Sequence, residues 1–472
     1  MDNRDFVIIG TGPAGISAAI TAAKSGIEVT VIGEDPRIGG QIFRQIIPPL
    51  QAQRHYIETQ NQILFKRLNK ELEKVHIHFL SNTVVWGIFE DKIIATDSKD
   101  HALIKAKKLL IAEGAYETPV AFPGWTMPGV MTLGGVQILL KSQGVIPQGK
   151  ILIAGTGPLL YFTAAQLVKN GANVIGVLEA SPLSQWMKWI FRLIRSPKLL
   201  MKGIQYLLIL KKHRVPVYYS HVVVKAQGEE HLEKIIFAKA DKHWKPLSRT
   251  EKTVNVDILG LNWGFIPSTI FSHMAGCQHE CDPLMRWWIP KTNSNYETLK
   301  EGIFVAGDCT GIGGVKSAVL EGEIAGTEVS FQLGRISKLM ADRHQARLKK
   351  SISHQKWYYE FLRKIYAFRP GLLHLLSDDT IICRCEEIDY KTITKIIEDG
   401  AHHIDQIKRL LRVGMGRCQG RFCYPTLLGL LANILPLNEL HKEDFSARPP
   451  AKPIPLKILS KESPSGEENN KL

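Results

Sequence analysis

Four of the chain's seven cysteines fall between positions 383 and 423, as Cys383-Arg384-Cys385 and then Cys418-Gln419-Gly420-Arg421-Phe422-Cys423. In a chain without secretory features, clustered thiolates are read as metal ligands before disulfides. Zinc knuckles favour a two-residue interval between cysteines, whereas C-x-C followed by C-x4-C in small glycine-flanked loops suits a [2Fe–2S] cluster, with zinc as the alternative. Cys383, Cys385, Cys418 and Cys423 are therefore the candidate ligands. Cys277, Cys281 and Cys309 take no assignable role. No cysteine precedes Cys277 and no C-x-x-C pair exists, which argues against disulfide exchange.

A second chemistry is written in glycines. Gly10-Thr11-Gly12-Pro13-Ala14-Gly15 follows the apolar run Phe6 to Ile9. G-x-G-x-x-G between a buried strand and a helix is a dinucleotide fingerprint: the first glycine makes the turn, the second admits a pyrophosphate, and the third lets helix and strand pack. The acid that holds the adenosine ribose is expected about 20 residues on. Gly33 stands where that acid is usual, so Glu34, one position late, is the candidate. Gly40 and Gln41 follow, then Gly114 after the apolar run Leu109 to Ala112. Gly307-Asp308 ends a third run, with Asp308 placed to accept from a ribityl hydroxyl; Gly311, Gly313 and Gly314 then open a helix over 315–330 whose N-terminus can face the flavin. Together these residues specify FAD. No catalytic side chain is assignable.

These groups need strands and helices in a particular order. A second strand-turn-helix starts at Ile151 and repeats Gly155-Thr156-Gly157-Pro158, with Leu160 at the third glycine position and Glu179 after the following strand. It reads as a second nucleotide-binding unit inserted in the first, with Gly155, Gly157 and Glu179 its candidate contacts. NAD(P), another adenine nucleotide and a purely structural role all remain readings of it. The expected fold is α/β, two nested Rossmann-like dinucleotide-binding domains plus a small helical C-terminal [2Fe–2S] domain. The boundaries are an FAD-binding domain over 1–118 and 255–335, an inserted domain over 119–254, a helical linker over 336–375, the cluster domain over 376–430 and an extended, proline-rich and disordered tail over 440–472.

Apolar content of 44% and charged content of 22% are those of a globular protein. No secretory signal and no uninterrupted apolar run of about 18 residues is found, so a cytoplasmic protein without a membrane span is expected. The net charge of +15 is spread along the chain without a nucleic-acid motif, which argues against a nucleic-acid partner. Trp186 to Arg195 is basic and amphipathic; a solvated helix face is the plainer reading and peripheral membrane contact the other.

Beyond Gly39-Gly40-Gln41-Ile42, Gly157-Pro158-Leu159-Leu160 and Gly307-Asp308, the chain carries Pro123-Gly124-Trp125-Thr126-Met127-Pro128-Gly129-Val130, Cys383-Arg384-Cys385-Glu386-Glu387, Gly414-Met415-Gly416-Arg417-Cys418 and Arg448-Pro449-Pro450. In these it resembles, over nearly its full length, the FAD-containing alpha-type subunits of heteromeric amine and amino-acid dehydrogenases. That family takes in the opine oxidase A subunits, the hydrogen cyanide synthase B subunits and the alpha subunits of proline and hydroxyproline dehydrogenases. The last cysteine block resembles the [2Fe–2S] module of bacterioferritin-associated ferredoxin. Glu113, where the family's architecture usually has threonine, departs from the pattern. The resemblance implies an electron-transferring subunit, with a small amine or amino acid oxidised at a second flavin on a smaller partner flavoprotein. The competing expectation is a stand-alone NAD(P)H-dependent FAD and iron–sulfur reductase. Because flavin and cluster are assigned to separate domains, loss of the cluster is expected to leave FAD in place.

Overall fold

The computed structural model describes residues 1–45, 60–98, 101–185, 197–282, 284–435, 439 and 446–459. The basic segment 186–196 and the terminal residues 460–472 lie outside the described residues.

The chain opens with β1 (Asp2–Ile9), α1 (Pro13–Lys24) and β2 (Val29–Ile32). Phe6 to Ile9 are all buried, as a strand covered by helices on both faces must be. After α2 (Gln60–Leu72) and β3 (His78–Leu80), the strands β4 (Val85–Phe89), β5 (Ile93–Thr96) and β6 (Leu103–Ile111) form an antiparallel meander. Its last strand returns parallel beside β1, giving the order β3-β2-β1-β6-β5-β4. Gly10 sits where this sheet is tightest. Its φ is +112°, and an added Cβ would lie 2.3 Å from the Ala112 carbonyl oxygen at the end of β6, so only glycine fits.

The crossover strand β7 (Ala115–Glu117) leads into a second unit. There β8 (Val130–Thr132), α3 (Leu133–Lys141), β9 (Lys150–Gly155), α4 (Pro158–Lys169), β10 (Asn173–Glu179), α5 (Pro197–Lys212) and β11 (Val217–Tyr219) alternate. An antiparallel trio follows, β12 (His221–Gln227), β13 (Lys234–Lys239) and β14 (Lys252–Asn255), before β15 (Ile258–Asn262) completes a five-stranded sheet in the order β11-β10-β9-β15-β8. Leu160 is fully buried in this unit's core among Leu133, Val136, Ile151 and Ile153.

The chain returns through β16 (Phe265–Pro267), paired with β7, then α6 (Ile270–Met274), the hairpin β17 (His279–Asp282) and β18 (Trp287–Pro290), and β19 (Ile303–Val305), which joins the first sheet beside β6. The helix α7 (Gly314–Gln332) packs against α1. The basic segment expected as a linker is the long helix α8 (Lys338–Tyr366), whose Ala341, Leu348 and Ile352 are buried, the last two in the core of the first unit. It is an integral layer of the fold.

The cysteine module is built from the hairpin β20 (Ile381–Cys383) and β21 (Ile388–Asp389), with α9 (Tyr390–Glu398), α10 (Ile404–Leu411) and α11 (Tyr424–Leu431). Its core of Ile382, Ile393, Ile404, Ile407 and Leu427 runs without a break into Trp125, Val223 and Leu232 of the second unit. Trp125 Nε1 also donates to the Ile381 carbonyl at 2.6 Å. Past 445 the chain lies across the surface: Ala451 is buried and donates its N–H to the Trp86 carbonyl at 2.7 Å. No helix among the described residues is long and apolar enough to cross a membrane.

Candidate functional site

The first glycine loop presents an open cradle. Helix α1 begins at Gly12 with no side-chain cap, which leaves first-turn N–H groups for a ligand's phosphates. An added Cβ on Gly12 would meet nothing within 4 Å, while one on Gly40 would come within 2.9 Å of the Gly12 Cα. Gly39 donates its N–H to the Thr11 carbonyl at 2.8 Å, so the second pair of glycines is laid against the first loop beside Gln41. These residues fit a pyrophosphate.

Asp308 lies at the carboxyl edge of the same sheet, just past β19. Its Oδ1 accepts from the N–H groups of Gly313 at 3.1 Å and Gly314 at 3.0 Å, and Oδ2 accepts from no described residue. One oxygen is thus free for a ribityl hydroxyl, and burial raises the carboxyl's pKa. The phenol of Tyr359 on α8 packs against Gly314, so that helix covers the α7 N-terminus. Glu113 is half-buried, and loss of solvent pushes its carboxyl up to about 7, against the hydrogen bonds it accepts from Ser268 Oγ at 2.7 Å and the Phe271 N–H at 3.2 Å. It ties the crossover next to Gly114 to the first turn of α6, a task the usual threonine is too short to perform. Glu34, the candidate ribose acid, is ion-paired with Lys452.

The second glycine loop is occupied from within. Glu179 is fully buried, and its Oε1 accepts from Thr156 Oγ1 at 2.7 Å and the Ser181 N–H at 2.9 Å. Its Oε2 accepts from the Gly157 N–H at 3.1 Å and the Tyr161 hydroxyl at 3.3 Å. Burial raises this carboxyl to about 7, although all four donors favour its ionised form. The Gly157 N–H, which in a nucleotide site faces the diphosphate, is spent on this carboxylate, and the ring of Tyr366 lies 3.8 Å from where a Gly157 Cβ would be.

A cavity of about 940 Å³ opens between the two units. Phe43 lines it from the first unit, Lys141 and Gly157 from the second, Trp287 from the returning hairpin, Tyr359 from α8 and Leu428 from the cysteine module. Lys141 stands 4.9 Å over the ring of Phe162, and burial depresses its ammonium to about 8.

The four candidate ligands converge as free thiols. Cys423 hydrogen-bonds Cys383, which is lowered to about 6 chiefly by that bond, while Cys385 and Cys418 form a second hydrogen-bonded pair. Among the described residues no three Cys, His, Asp or Glu side chains stand at the spacing of a single bound ion. Two facing pairs fit a two-iron cluster, which needs two thiolates on each iron. Gly416 is required by contact: an added Cβ would lie 2.3 Å from the Cys385 Cβ. Cys383 and Cys423 are buried and Cys385 is exposed, so one edge of the site reaches the surface.

Two cations carry no signal in the sequence. Arg421 stacks 5.5 Å over the ring of Tyr116 on the crossover strand, and Lys452 lies 5.5 Å over Phe271. Arg421 sits inside the cysteine block and Lys452 two residues past Arg448-Pro449-Pro450, but nothing in those spacings says which surface they meet. A cavity of about 270 Å³ joins Glu34 and Val84 to Arg417, Cys418, Arg421, Ala451, Lys452 and Pro453. The flavin unit and the cysteine loop are therefore in contact.

Residues 4–323 match the family model described as pyridine nucleotide-disulphide oxidoreductase, and residues 381–433 match the BFD-like [2Fe-2S] binding domain. The chain is 32% identical to the opine oxidase A protein of Agrobacterium tumefaciens, over 97% of this chain and 92% of that one. It is likewise 32% identical to the hydrogen cyanide synthase protein HcnB of Pseudomonas protegens, over 88% and 89%. Among solved structures, L-proline dehydrogenase from P. horikoshii superposes with a TM-score of 0.67 at 20% identity, covering 97% of this chain and 79% of that one, a likeness of fold.

Proposed function

This chain belongs to the pyridine nucleotide-disulphide oxidoreductase family, with the opine oxidase A and hydrogen cyanide synthase B subunits as relatives; from that premise we propose how its site works. It is an FAD- and [2Fe–2S]-dependent oxidoreductase, and it acts as the electron-transferring subunit of a heteromeric amine or amino-acid dehydrogenase. A second flavoprotein subunit would carry the substrate site. When bound, FAD exchanges electrons in pairs or singly and the cluster exchanges them singly.

The chain's own residues bind and orient. Gly10, Gly12, Ala14 and Gly15 would hold the pyrophosphate, with Pro13 setting the first helical turn; Gly40 and Gln41 would lie along the dinucleotide and Asp308 would fix the ribityl chain. Gly114 and Gly307, at the carboxyl ends of β6 and β19, would let the backbone approach it. Cys383, Cys385, Cys418 and Cys423 would hold the cluster at a partly exposed edge, where an external redox partner can approach.

The observation that carries the division of labour is the closed second loop. With both Glu179 oxygens and the Gly157 N–H engaged, the inserted unit offers a nicotinamide nucleotide neither the ribose acceptor nor the diphosphate donor that such a site uses. This supports electrons arriving from a partner flavoprotein over the stand-alone reductase. Anaerobic titration of the purified chain with NADH and NADPH should leave the flavin oxidised on the time scale of turnover; rapid bleaching by either would establish the reductase.

The cavity between the units favours a second reading, since its size and its lysine suit a small carboxylate-bearing substrate. Glycine, proline and opines should reduce a dye only after the partner subunit is added. Turnover by the partner-free chain at the rate of its complex would place the substrate here instead.

A further inference from the structure

We infer that the outer face of α5 is a docking surface for an anionic lipid bilayer. Met201, Ile204 and Leu208 recur at the i, i+3, i+7 interval of one helix face, and they are 69%, 48% and 60% exposed, with Leu207 beside them at 39%. Elsewhere, no eight consecutive described residues expose more than two large apolar side chains. A surface helix ordinarily turns polar residues to water, and single exposed apolar residues need no explanation, but a stripe of them marks a contact.

The stripe cannot be buried by turning the helix, because the opposite face is already committed. Leu210 is 1% exposed in the core of the second unit, where Tyr206 and Ile209 pack against it. Leu200 packs against Phe361 and Ile365 of α8, and Lys202 and Tyr206 line the larger cavity. At 16 residues α5 is shorter than the about 20 that span a bilayer, and it ends in Lys211-Lys212, so it would lie in the plane of the surface.

Charge selects the occupant. From Ser181 to Arg214 the sequence holds eight lysines and arginines and neither aspartate nor glutamate. Lys211, Lys212 and Arg214 are exposed where the stripe ends, and the neighbouring helix α4 has no acidic residue. Three of the eight cations belong to residues 186–196, so laying that segment over α5 would set like charges together. A bilayer surface takes both signals at once: acyl chains accept the apolar stripe while anionic headgroups face the lysines. Docking of this kind sets one wall of the larger cavity at the bilayer, because Lys202 and Tyr206 stand on the same helix.

The test is cosedimentation of the full-length holoprotein with vesicles of phosphatidylcholine alone and of phosphatidylcholine with phosphatidylserine. The wild type should bind the anionic vesicles about tenfold more tightly, or better, than the neutral ones. Raising the salt from about 0.1 to about 1 M should weaken that binding, as the screening length falls from about 10 to about 3 Å. Leu208→Asp, at a position open to solvent, should bind about tenfold more weakly or worse. Lys211→Gln combined with Lys212→Gln should lose roughly twentyfold, at roughly fivefold for each charge, and keeps the test decisive if aspartate at 208 disturbs folding. Leu339→Asp, a comparably exposed leucine at the start of α8, should bind as the wild type does. Absence of wild-type binding to anionic vesicles, or affinities within twofold of the wild type in both α5 variants, would overturn the inference. So would a wild-type dimer that Leu208→Asp turns into a monomer, or loss of vesicle binding on adding the partner flavoprotein subunit, since a second copy or the partner would then cover the face.

Discussion

Replacing Glu179 with glutamine removes one titration and almost no volume, so it isolates what the buried carboxyl does to stability. The folded protein holds the Glu179 proton up to about pH 7, against 4.5 for the ordinary side chain. In the unfolded chain the group ionises at the lower value, so the native state binds the extra proton throughout that interval, and stability is greatest in acid and falls as pH rises through 7. Between pH 5.5 and 8 the loss attributable to this group is about 2 kcal/mol, at about 1.4 kcal/mol for each tenfold change in proton affinity. Glu113, pushed up to about 7 in the same way, contributes equally in both proteins and cancels in the comparison. Urea unfolding followed across that pH range should show the wild type losing about 2 kcal/mol more than Glu179→Gln. The variant should be less stable than the wild type at pH 5.5, because its amide nitrogen faces the Gly157 N–H, a clash of two donors worth about 1–3 kcal/mol. Parallel pH profiles for the two proteins would refute the claim that Glu179 is held by burial against its ordinary ionisation.

Gly12→Val should fold and yet purify without FAD, because the space its side chain would enter is empty of protein and belongs to the pyrophosphate; normal flavin content would sink that assignment. Anaerobically prepared wild type should contain two iron and two acid-labile sulfide per chain, and stoichiometric zinc without sulfide would replace the cluster with a zinc site. Cys418→Ser should lose the cluster and also weaken FAD, with at least severalfold higher Kd in a flavin-fluorescence titration, since the residue lines a cavity shared with Glu34; unchanged FAD affinity would return the two cofactors to independent domains.

The parts of this molecule that were legible in its sequence are those in which chemistry and spacing coincide. Phe6 to Ile9 followed by G-x-G-x-x-G has few structural solutions, and the observed β1, α1 and β2 follow that pattern closely. Leu160 at the third glycine position proves to be core filling. Glu179 is different, because an acid ending the second strand of a Rossmann unit looks the same whether it waits for a ribose or bonds to its own loop. The outcome depends on Thr156, Tyr161 and Ser181, whose side chains have no conspicuous pattern. Glu34 likewise gave no sign that its partner would be Lys452, far along the chain. The cysteines were recognisable as ligands, but their separation from the flavin was assumed from domain order. The continuous core through Trp125 and Leu232 joins the cysteine module to the inserted unit, and the small cavity sets Cys418 beside Glu34 of the flavin unit.

The strap over 446–452 also fixes a sequence of events. Synthesis runs from the amino terminus, so the flavin sheet, the inserted unit and the cysteine module all emerge before the segment that lies across them. The wall that Ala451, Lys452 and Pro453 give to the small cavity is the last one raised. Opening that cavity in the finished protein requires the Ala451 to Trp86 bond and the Lys452 to Glu34 pair to part.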